Sequence, residues 1–557
     1  MAKNTSYTIE FLESVRAELD EVYNYIKPEM IQLSEYFLPR AARFDSDEKD
    51  KLRKKAKKIK DSTVYRAVRN YSSGLMTSAS SPASNWFNVR IKNYKVDYDK
   101  DALNWCGQVT ELLNNILSSS NFYQTIPLVY RHLGVFSFGC LYAEHDYDNV
   151  VNFKIIPMGS YRYAKNSAGR VDTLMRVYKE SVKNLVDQFG EENVSERVKS
   201  LLKNKKLNEQ VEVCHYVAPN KDYLPNATFA KNKRFVSIYY EVNSDRKTNK
   251  FLHVSGYNKF PYFVYESEVT GSDTYPSNGS GIEALPDARQ LMEMVEDEAK
   301  GIKKIVSPAY QGPKNLKSQA KDSAGSYIAV PDDSRQNIQP IYAVPAQFMN
   351  IHDLIELKKK DIENAFYNDL FSIILNTQKS GRTAFEVNEL KEEKLSLLAP
   401  LLNQVHSGHK SVFEWLFEEI QELGICPPPP ESILNKEFDI EFVSTLTQAR
   451  LATKVSGIER LVTYVANLAG KVDPSLRHKI KLDETVDMYA KYGNIDMSLL
   501  RSNEEVEKIA QAEAKAQQQA EQQAQMMQGL KDGSEVIKNI GGQDSYGAEL
   551  LNRLGVG

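Results

Sequence analysis

The sequence predicts an α+β fold that is predominantly helical, and three patterns support this prediction. Between residues 138 and 280, short runs rich in β-branched and aromatic residues alternate with turn residues, which is typical of strands. From residue 285 onward, apolar residues recur instead at the spacing of amphipathic helices. After the proline connector "GICPPPPESI", the alternating Phe438, Ile440 and Phe442 predict one further strand. A chain of 557 residues is long enough for several domains or for one elongated subunit of an assembly.

Composition narrows the possible function classes. The formal net charge of −3 gives no global bias toward nucleic acid, so any basic surface must be local. The four cysteines lie far apart without a CxxC pair, which argues against a zinc site and against a disulfide scaffold. No apolar run approaches the ~18 residues of a membrane span, and the start "MAKNTSYTIEFLESV" lacks the features of a signal peptide. We therefore expect no membrane contact and assembly in a reducing cytoplasm.

The helical periodicity divides the chain into successive elements. Within the strand-rich body, one helix is expected near residues 181–204. Two long helices of similar length are expected at 286–304 and 351–374, the first with Pro286 in its first turn. Turn residues and two short strand-like runs separate these helices, so an antiparallel helix pair carries a small compact excursion. Residues 446–510 are expected to be helical, and the Ala/Gln-rich stretch that follows cannot bury a core alone.

The segment "GRTAFEVNELKEEKLSLLAPLLNQV", residues 381–405, predicts a helix start and then places a proline inside the helix. Thr383 and Glu386 form a capping-box pattern, and apolar residues continue at helical spacing as far as Leu423. Pro400 lacks an amide hydrogen and clashes with the preceding turn, at a cost of roughly 3 kcal/mol. Either one helix of about forty residues bends at Pro400, or one helix ends there and another begins.

Catalytic motifs are absent from the sequence. It contains neither a GxxxxGK[ST] phosphate loop nor an HExxH zinc helix. His406 and His409 are three residues apart on a predicted helix, but His409 falls on the apolar stripe, which favours a packed core histidine over a metal ligand. We therefore predict no catalytic residue, no metal and no cofactor. A nucleic-acid-processing enzyme with an unrecognised metal site stays open as an alternative, with Glu144, Asp146 and Asp148 as its candidates.

The predicted architecture favours a ring. Two antiparallel helices that project a small domain have too little to pack against in a monomer, whereas neighbours in a ring would cover them. The polar, cationic loop "NTQKSGR", residues 376–382, would then point inward. A non-ring scaffold or adaptor protein that uses the Gln-rich tail as a coiled coil is a further alternative. The tail lacks sustained apolar heptads, which counts against that alternative.

Six sequence blocks, which occur in order along most of the chain, resemble the portal proteins, or head-to-tail connectors, of short-tailed, podovirus-type bacteriophages. They are "SSGLMTSASSPASNWFNV" (72–89), "SNFYQTIPLVYRHLGVFSFGCLYAEHD" (120–146), "GSYRYAKNSAGRVDTLMR" (159–176), "GSGIEALPDARQLMEM" (279–294), "RTAFEVNELKEEKLSLLAPLLNQV" (382–405) and "STLTQARLATKVSGIERLVTYVANLAG" (444–470). The resemblance implies a structural protein without enzymatic activity.

The resemblance also implies a division of the chain into the regions of a portal subunit. In chain order these are a wing (1–280), a stem helix (281–307), a clip (308–349), a stem return helix (350–375), a tunnel loop (376–382), a kinked tunnel helix (383–424), a connector and wing strand (425–445), a helical crown (446–527) and a mobile C-terminal tail (528–557).

The function implied by the resemblance is that of a channel at one capsid vertex of the virion. Such proteins form rings, usually of about twelve subunits, through which double-stranded DNA is packaged by a terminase and later ejected. The implied partners are the terminase large subunit, the major capsid and scaffolding proteins, and a tail adaptor protein. Assembly would take place in the host cytoplasm.

The resemblance also indicates which residues would contact DNA. Lys379, Ser380, Gly381 and Arg382 would form the tunnel loop, where two cations on a flexible Ser/Gly segment touch phosphates weakly and without reading bases. Family members often carry Met at the position of Arg382, so this chain has an additional cation there. Pro400 would kink the tunnel helix so that its first half lines the channel.

Three lysines of the implied clip have several possible roles. They could face DNA, dock on an acidic surface of a partner, or simply be solvated: Lys314, Lys317 and Lys321. The sequence does not decide among these roles.

Overall fold

The computed structural model describes most of the chain, in a series of segments. These are residues 6–44, 58–92, 100–146, 148–225, 229–242, 250–271, 273–306, 310–311, 339–340, 350–375, 384–434, 436–443, 445–471, 479–493 and scattered positions between 506 and 527. The chain divides into two compact units, residues 1–93 with 105–448, and residues 94–104 with 449–557.

Helices dominate the described part of the chain. In the first part of the sequence they are α1 (Ile9–Tyr36), α2 (Thr63–Ala79), α3 (Lys100–Ser119), α4 (Phe122–Phe136), α5 (Val182–Phe189) and α6 (Glu196–Lys203). After the strand-rich region come α7 (Ser280–Val306), α8 (Asn350–Ala365), α9 (Asn368–Leu375), α10 (Ala384–Glu422), α11 (Thr445–Lys471) and α12 (Leu482–Gly493). None of the described helices is both long enough and apolar enough to cross a membrane.

The strands form antiparallel sheets, and the predicted mixture of helix and strand is confirmed. A five-stranded sheet has the order β4 (Tyr161–Lys165), β5 (Val171–Ser181), β6 (Gln210–Pro219), β7 (Phe235–Glu241) and β8 (His253–Tyr257). A three-stranded sheet has the order β3 (Val150–Ile156), β2 (Phe138–Asp146) and β9 (Tyr262–Glu266). Two further pairs are β1 (Phe87–Ile91) with β12 (Phe438–Phe442), and β10 (Tyr310–Gln311) with β11 (Gln339–Pro340).

The two larger sheets pack face to face around buried tyrosines. Tyr262 of β9 forms a 2.6 Å hydrogen bond with His215 of β6, and the His215 ring stacks on Tyr239 of β7 at 3.8 Å between centroids. Near the other end of β9, the Tyr163 hydroxyl donates a 2.7 Å hydrogen bond to Glu266. Tyr262, His215, Tyr163 and Glu266 thus pair their polar atoms across this interface, as burial favours.

Helix α1 covers the opposite face of the five-stranded sheet. Thr8 caps its N-terminus by accepting a hydrogen bond from the Phe11 amide, and Ile9 and Leu12 then face the sheet. Both pack into a buried cluster with Tyr216 and Ile238. The first turn of α1 thus fixes the helix to the strands that follow it in the sequence.

Three predicted helices begin or end elsewhere than the sequence indicated. The single helix expected near 181–204 consists of two short helices, α5 and α6, because Gly190 has a positive φ of 83° and ends α5. The first long helix begins at Ser280, so Pro286 lies inside it rather than in its first turn. At this earlier start, Gly281 lies so close to the carbonyl of Val135 that a Cβ would overlap it.

The second long helix, predicted at 351–374, is also interrupted. It divides into α8 and α9 at Tyr367, which has a φ of 55° in the left-handed region. The break buries Phe366 and Phe371, which contact the Tyr71 ring of α2 edge-on with centroids 5.9 and 6.1 Å apart. Burial of two large aromatic side chains outweighs the loss of helical hydrogen bonds at one residue.

Helices α7 and α8 are antiparallel neighbours, as predicted. Lys358 of α8 forms a 2.7 Å ion pair with Asp287 of α7, and His352 lies 3.6 Å from Glu298. Along α7 the contacts therefore move from later to earlier residues of α8, which shows that the two helices run in opposite directions. The two helices extend together from the body at α2 and α4.

Two helical glycines provide a direct test of this packing. A Cβ on Gly74 of α2 would overlap the Phe371 ring, whereas a Cβ on Gly107 of α3 would meet nothing within 4 Å. We expect Gly74→Ala to destabilise the protein by about 1–2 kcal/mol through overpacking. Gly107→Ala, the matched control, should stabilise it by about 0.5–1 kcal/mol through helix propensity. Thermal melts of both variants check this, and a stable Gly74→Ala would contradict the packing of α9 on α2.

Candidate functional site

The predicted tunnel-loop and clip cations lie outside the described residues. This applies to Lys379, Ser380, Gly381 and Arg382 in the loop and to Lys314, Lys317 and Lys321 between the long helices. Their roles remain predictions. The structure does describe Pro400 and most of the helix that follows the loop, so the candidate site is built from that helix and its contacts.

Helix α10 runs without interruption from Ala384 to Glu422, over 39 residues. Pro400 lies inside it with an exposed ring, so the helix continues through the proline and does not end there. This contradicts the alternative in which one helix stops at Pro400 and a second begins. Proline has no amide hydrogen to donate to the carbonyl four residues earlier, which weakens the helix at this position.

One stripe of α10 is buried from Leu398 onward. Its members recur every three or four residues, so they lie on one face of the helix: Leu398, Leu402, Val405, His409, Val412, Leu416 and Ile420. Trp415 is also buried, and its ring contacts Phe263 of β9. The second half of α10 is thereby fixed to the three-stranded sheet.

Gly408 permits the closest approach between α10 and the sheet. A Cβ at this position would overlap the ring of Tyr265 on β9. Because glycine has no side chain, the helix backbone can lie directly against that ring. The approach also places the next residue, His409, within hydrogen-bonding distance of two tyrosines.

His409 connects three elements of the body to α10. Its Nε2 lies 2.8 Å from the Tyr130 hydroxyl of α4, and its Nδ1 lies 3.0 Å from the Tyr265 hydroxyl of β9. The Tyr130 hydroxyl is in turn 2.7 Å from the Ser80 hydroxyl, just after α2. Burial, and secondly the neighbouring His406, hold the pKa of His409 well below its usual range. A neutral imidazole offers one donor and one acceptor, which these two hydroxyls satisfy.

An aromatic cluster surrounds His409. The ring of Trp86 lies 5.0 Å from it, and Phe122 and Phe442 lie 6.0 and 6.3 Å away, between centroids. His406 instead stacks on Phe442 at 4.5 Å, and burial lowers its pKa to about 4. The two histidines share Phe442 as a neighbour, but only His409 is hydrogen-bonded to tyrosines, and the prediction that His409 is a core histidine is confirmed.

The candidate residues of the enzyme alternative are engaged in local contacts. Glu144 accepts a 2.9 Å hydrogen bond from Asn152 and forms an ion pair with Lys154. Asp146 accepts a 3.1 Å hydrogen bond from the Asp148 amide in the turn that connects β2 to β3. Within the described segments, no three His, Cys, Asp or Glu side chains are grouped closely enough to hold a metal ion. The described geometry thus engages the carboxylates of Glu144 and Asp146 in local contacts.

The C-terminal end of α10 carries a second set of polar contacts. Glu422 forms a 3.0 Å ion pair with Lys233, which lies beside the start of β7. Glu419 lies 3.7 Å from Nδ1 of His145 on β2. Burial, and then the like charge of Glu422, raises the pKa of Glu419 to about 7. The C-terminal end of the buried stripe is therefore fastened to the β-body.

Together these features define a structural subunit, in which a long helix is anchored to a mixed β-body beside an antiparallel helix pair. A family model described as "Bacteriophage head to tail connecting protein" matches residues 10–500. The chain belongs to this family. It is therefore a structural connector of the phage particle.

Two curated relatives match most of the chain. It is 31% identical over 487 residues to the probable portal protein of Bordetella phage BPP-1, a match that covers 87% of each chain. It is 28% identical over 503 residues to the portal protein of Salmonella phage epsilon15, covering 90% of each. Among solved structures, the neck of an empty GTA particle aligns with 71% of this chain and 86% of its own, at 9% identity and a TM-score of 0.34.

Sequence reasoning missed the partners of His409. Tyr130 and Tyr265 belong to α4 and β9, far from His409 in the sequence, and no spacing rule connects them. The sequence contained one relevant signal, a histidine on an apolar helical stripe, because a buried imidazole requires polar partners. It did not indicate which side chains supply them.

Glu419 predicts a measurable pH dependence of stability. Its pKa in the folded protein is raised from the ordinary 4.5 to about 7. The stability associated with its protonated form is thus complete below pH ~4.5 and is lost as the pH rises through ~7, by on the order of 2 kcal/mol. We expect Glu419→Gln to retain at pH 8 the melting temperature that wild type shows only at lower pH. Glu414→Gln, on the exposed face of the same helix, is the control, and identical pH profiles for all three proteins would refute the assignment.

Proposed function

We propose that this connector forms a ring of about twelve subunits at one capsid vertex and provides the channel for double-stranded DNA. DNA would enter during packaging, driven by the terminase large subunit, and leave during ejection. Membership of the head-to-tail connecting family over residues 10–500 is the observation that carries this proposal. The names of both curated relatives, each a portal protein, support it further.

The regions of the subunit follow from the order of its elements. We assign the β-body with α1 to α6 (1–280) to the wing, and α7 with α8 and α9 to the stem. Residues 308–349, between the stem helices, would form the clip. Helix α10 would be the tunnel helix, β12 (in 425–445) the returning wing strand, and α11 and α12 (in 446–527) the crown.

Exposed apolar side chains on the stem helices support ring formation. Ile302 and Ile305 of α7, and Leu354 and Leu357 of α8, are each between 50% and 53% exposed. Within each helix the two residues are three positions apart and therefore share a face. Exposed apolar residues at helical spacing favour association, and a heterologous interface that closes on itself makes a ring. Neighbouring subunits would cover these side chains.

Charge on the stem provides a test of ring formation. We expect Leu354→Asp with Leu357→Asp to shift the protein from rings to monomers, because buried unpaired carboxylates are costly at an interface. Leu207→Asp, on a partly exposed residue between α6 and β6, is the matched control. Light scattering gives the mass of each variant. Rings of unchanged mass in the double variant would exclude this stem face as the contact.

The tunnel loop is proposed to contact DNA weakly. Tight phosphate binding would stall translocation, so a few cations on a flexible segment suit a channel better than a rigid site. Lys379 and Arg382 would provide these cations, with Ser380 and Gly381 between them. The acidic residues that follow at the start of α10 would offset this positive charge and limit the affinity of the channel wall for DNA.

Pro400 is proposed to mark a bend between two parts of α10. The second half is anchored through its buried stripe, which begins at Leu398, just before the proline. A helix weakened at one residue can change direction there, so the first half would line the channel. The continuity of α10 across Pro400 supports a bent helix over two separate ones.

The loop cations provide a second test of the proposed function. We expect Lys379→Ala with Arg382→Ala to leave ring formation intact and to change DNA packaging or DNA retention in particles. Lys183→Ala with Arg197→Ala removes two exposed cations from α5 and α6 and is the charge-matched control. DNA content and DNA release from purified particles are the measurements. Normal content and retention in the loop variant would exclude a DNA-contacting role.

The remaining partners follow from the same assignment. The clip, with Lys314, Lys317 and Lys321, would dock the terminase during packaging and a tail adaptor protein later. The wing would contact the major capsid protein and the scaffolding protein during assembly in the host cytoplasm. The subunit itself would hydrolyse nothing and require no cofactor.

A further inference from the structure

Strand β9 is the edge strand of its sheet, and its outer edge carries unpaired backbone groups. It pairs with β2 in the register Cys140↔Val264. The amide of Ala143 donates to the carbonyl of Pro261, and the amide of Ser267 donates to the carbonyl of Ser137. Because antiparallel ladders alternate, the odd-numbered residues of β9 bond to β2. The amides and carbonyls of Tyr262, Val264 and Glu266 therefore point to the other side, where no described strand pairs with them.

These three residues line a groove with a volume of about 360 Å³. One wall is a polar row on α10 whose members are spaced three or four residues apart: Gln404, Ser407, Ser411 and Glu414. The opposite wall belongs to the five-stranded sheet and includes the turn between β4 and β5 and the first two residues of β5, together with Arg234 and Lys259. The volume is within the range of sites that hold a bound molecule.

The groove keeps an excess of positive charge once its ion pairs are set aside, with three cations against two acids. Lys410 is paired with Asp439 at 2.6 Å, and Glu266 is paired with Lys165 at 2.8 Å. Across the described segments, no carboxylate lies within ion-pair distance of the three other cations, which all belong to the sheet wall: Arg170, Arg234 and Lys259. Asp172 and Glu414 are the remaining acids. The unpaired positive charge is thus concentrated on one wall.

We propose that this groove binds an extended acidic segment of a partner protein, which adds to β9 as a further strand. Edge strands with free amides and carbonyls are templates for such pairing, and alternate side chains provide its specificity. The backbone of the segment would pair with Tyr262, Val264 and Glu266. Its acidic side chains would face Arg170, Arg234 and Lys259, and the intervening side chains would face the small serines of α10.

The chemistry of the ligand follows from the alternation of side chains along a strand. Successive side chains point to opposite faces, so only every second residue of the segment meets the cationic wall. A segment in which acids alternate with apolar or small residues would therefore fit. A uniformly acidic segment would instead place carboxylates beside Glu414 on the opposite wall. This site is separate from the stem and the tunnel loop, so the proposed peptide binding does not depend on ring formation.

The test uses the full-length protein and a fluorescein-labelled peptide in which glutamate alternates with valine. We expect it to bind with a Kd below about 1 mM by fluorescence anisotropy, and a lysine–valine peptide not to bind. Arg170→Glu with Lys259→Glu should weaken binding at least about tenfold. Lys183→Glu with Arg197→Glu, away from the groove, should leave it unchanged. Equal binding of both peptides, or no effect of the groove variant, would overturn the proposed site.

Backbone methylation separates strand pairing from simple charge attraction. N-methylation of all glutamates, or of all valines, removes the amides on one side of the peptide strand. We expect one of these peptides to lose binding and the other to retain it, because only one side faces β9. Hydrogen exchange should show the amides of Val264 and Glu266 unprotected without peptide and protected with it. Equal tolerance of both methylations, or protection before peptide is added, would overturn strand addition by an acidic partner.

Discussion

The attachment of α10 to the three-stranded sheet is the contact on which the rest of the structure depends. Gly408 brings the helix backbone against the Tyr265 ring, and His409 then reaches Tyr130 and Tyr265 with its two ring nitrogens. Through Tyr130 the same network extends to Ser80, after α2. His409 is thereby hydrogen-bonded to α4 and β9, which are both far from it in the sequence. Because the network is fully buried and its members are paired, its geometry is specific.

This attachment divides the subunit into parts with different physical constraints. The β-body is held by sheet pairing, aromatic contacts and buried hydrogen bonds. The antiparallel pair α7 and α8 extends from it with about half of the surface of several apolar side chains still exposed. In the proposed ring, the body anchors the subunit and the exposed side chains of α7 and α8 contact neighbouring subunits. In our proposal, the surfaces that carry the function are therefore those that the packing of the β-body leaves exposed.

Most of the fold could be predicted from the sequence, but its local exceptions could not. Periodicity located the strand-rich body and the long helices, because amphipathic spacing is a local property. It missed the break at Tyr367, because distant contacts of Phe366 and Phe371 with Tyr71 favour that break. It also missed the early start of α7, where Gly281 lies against Val135. Of the candidate site, the sequence identified Pro400 and the core position of His409. It could not identify Tyr130 and Tyr265, whose proximity exists only in the folded chain.

The most direct test of the central claim is the assembly state of the purified protein. Negative-stain electron microscopy shows whether particles are closed, and light scattering gives their mass. We predict closed rings with a central hole and the mass of about twelve subunits. Compact monomers or dimers at high protein concentration would contradict a ring-shaped channel.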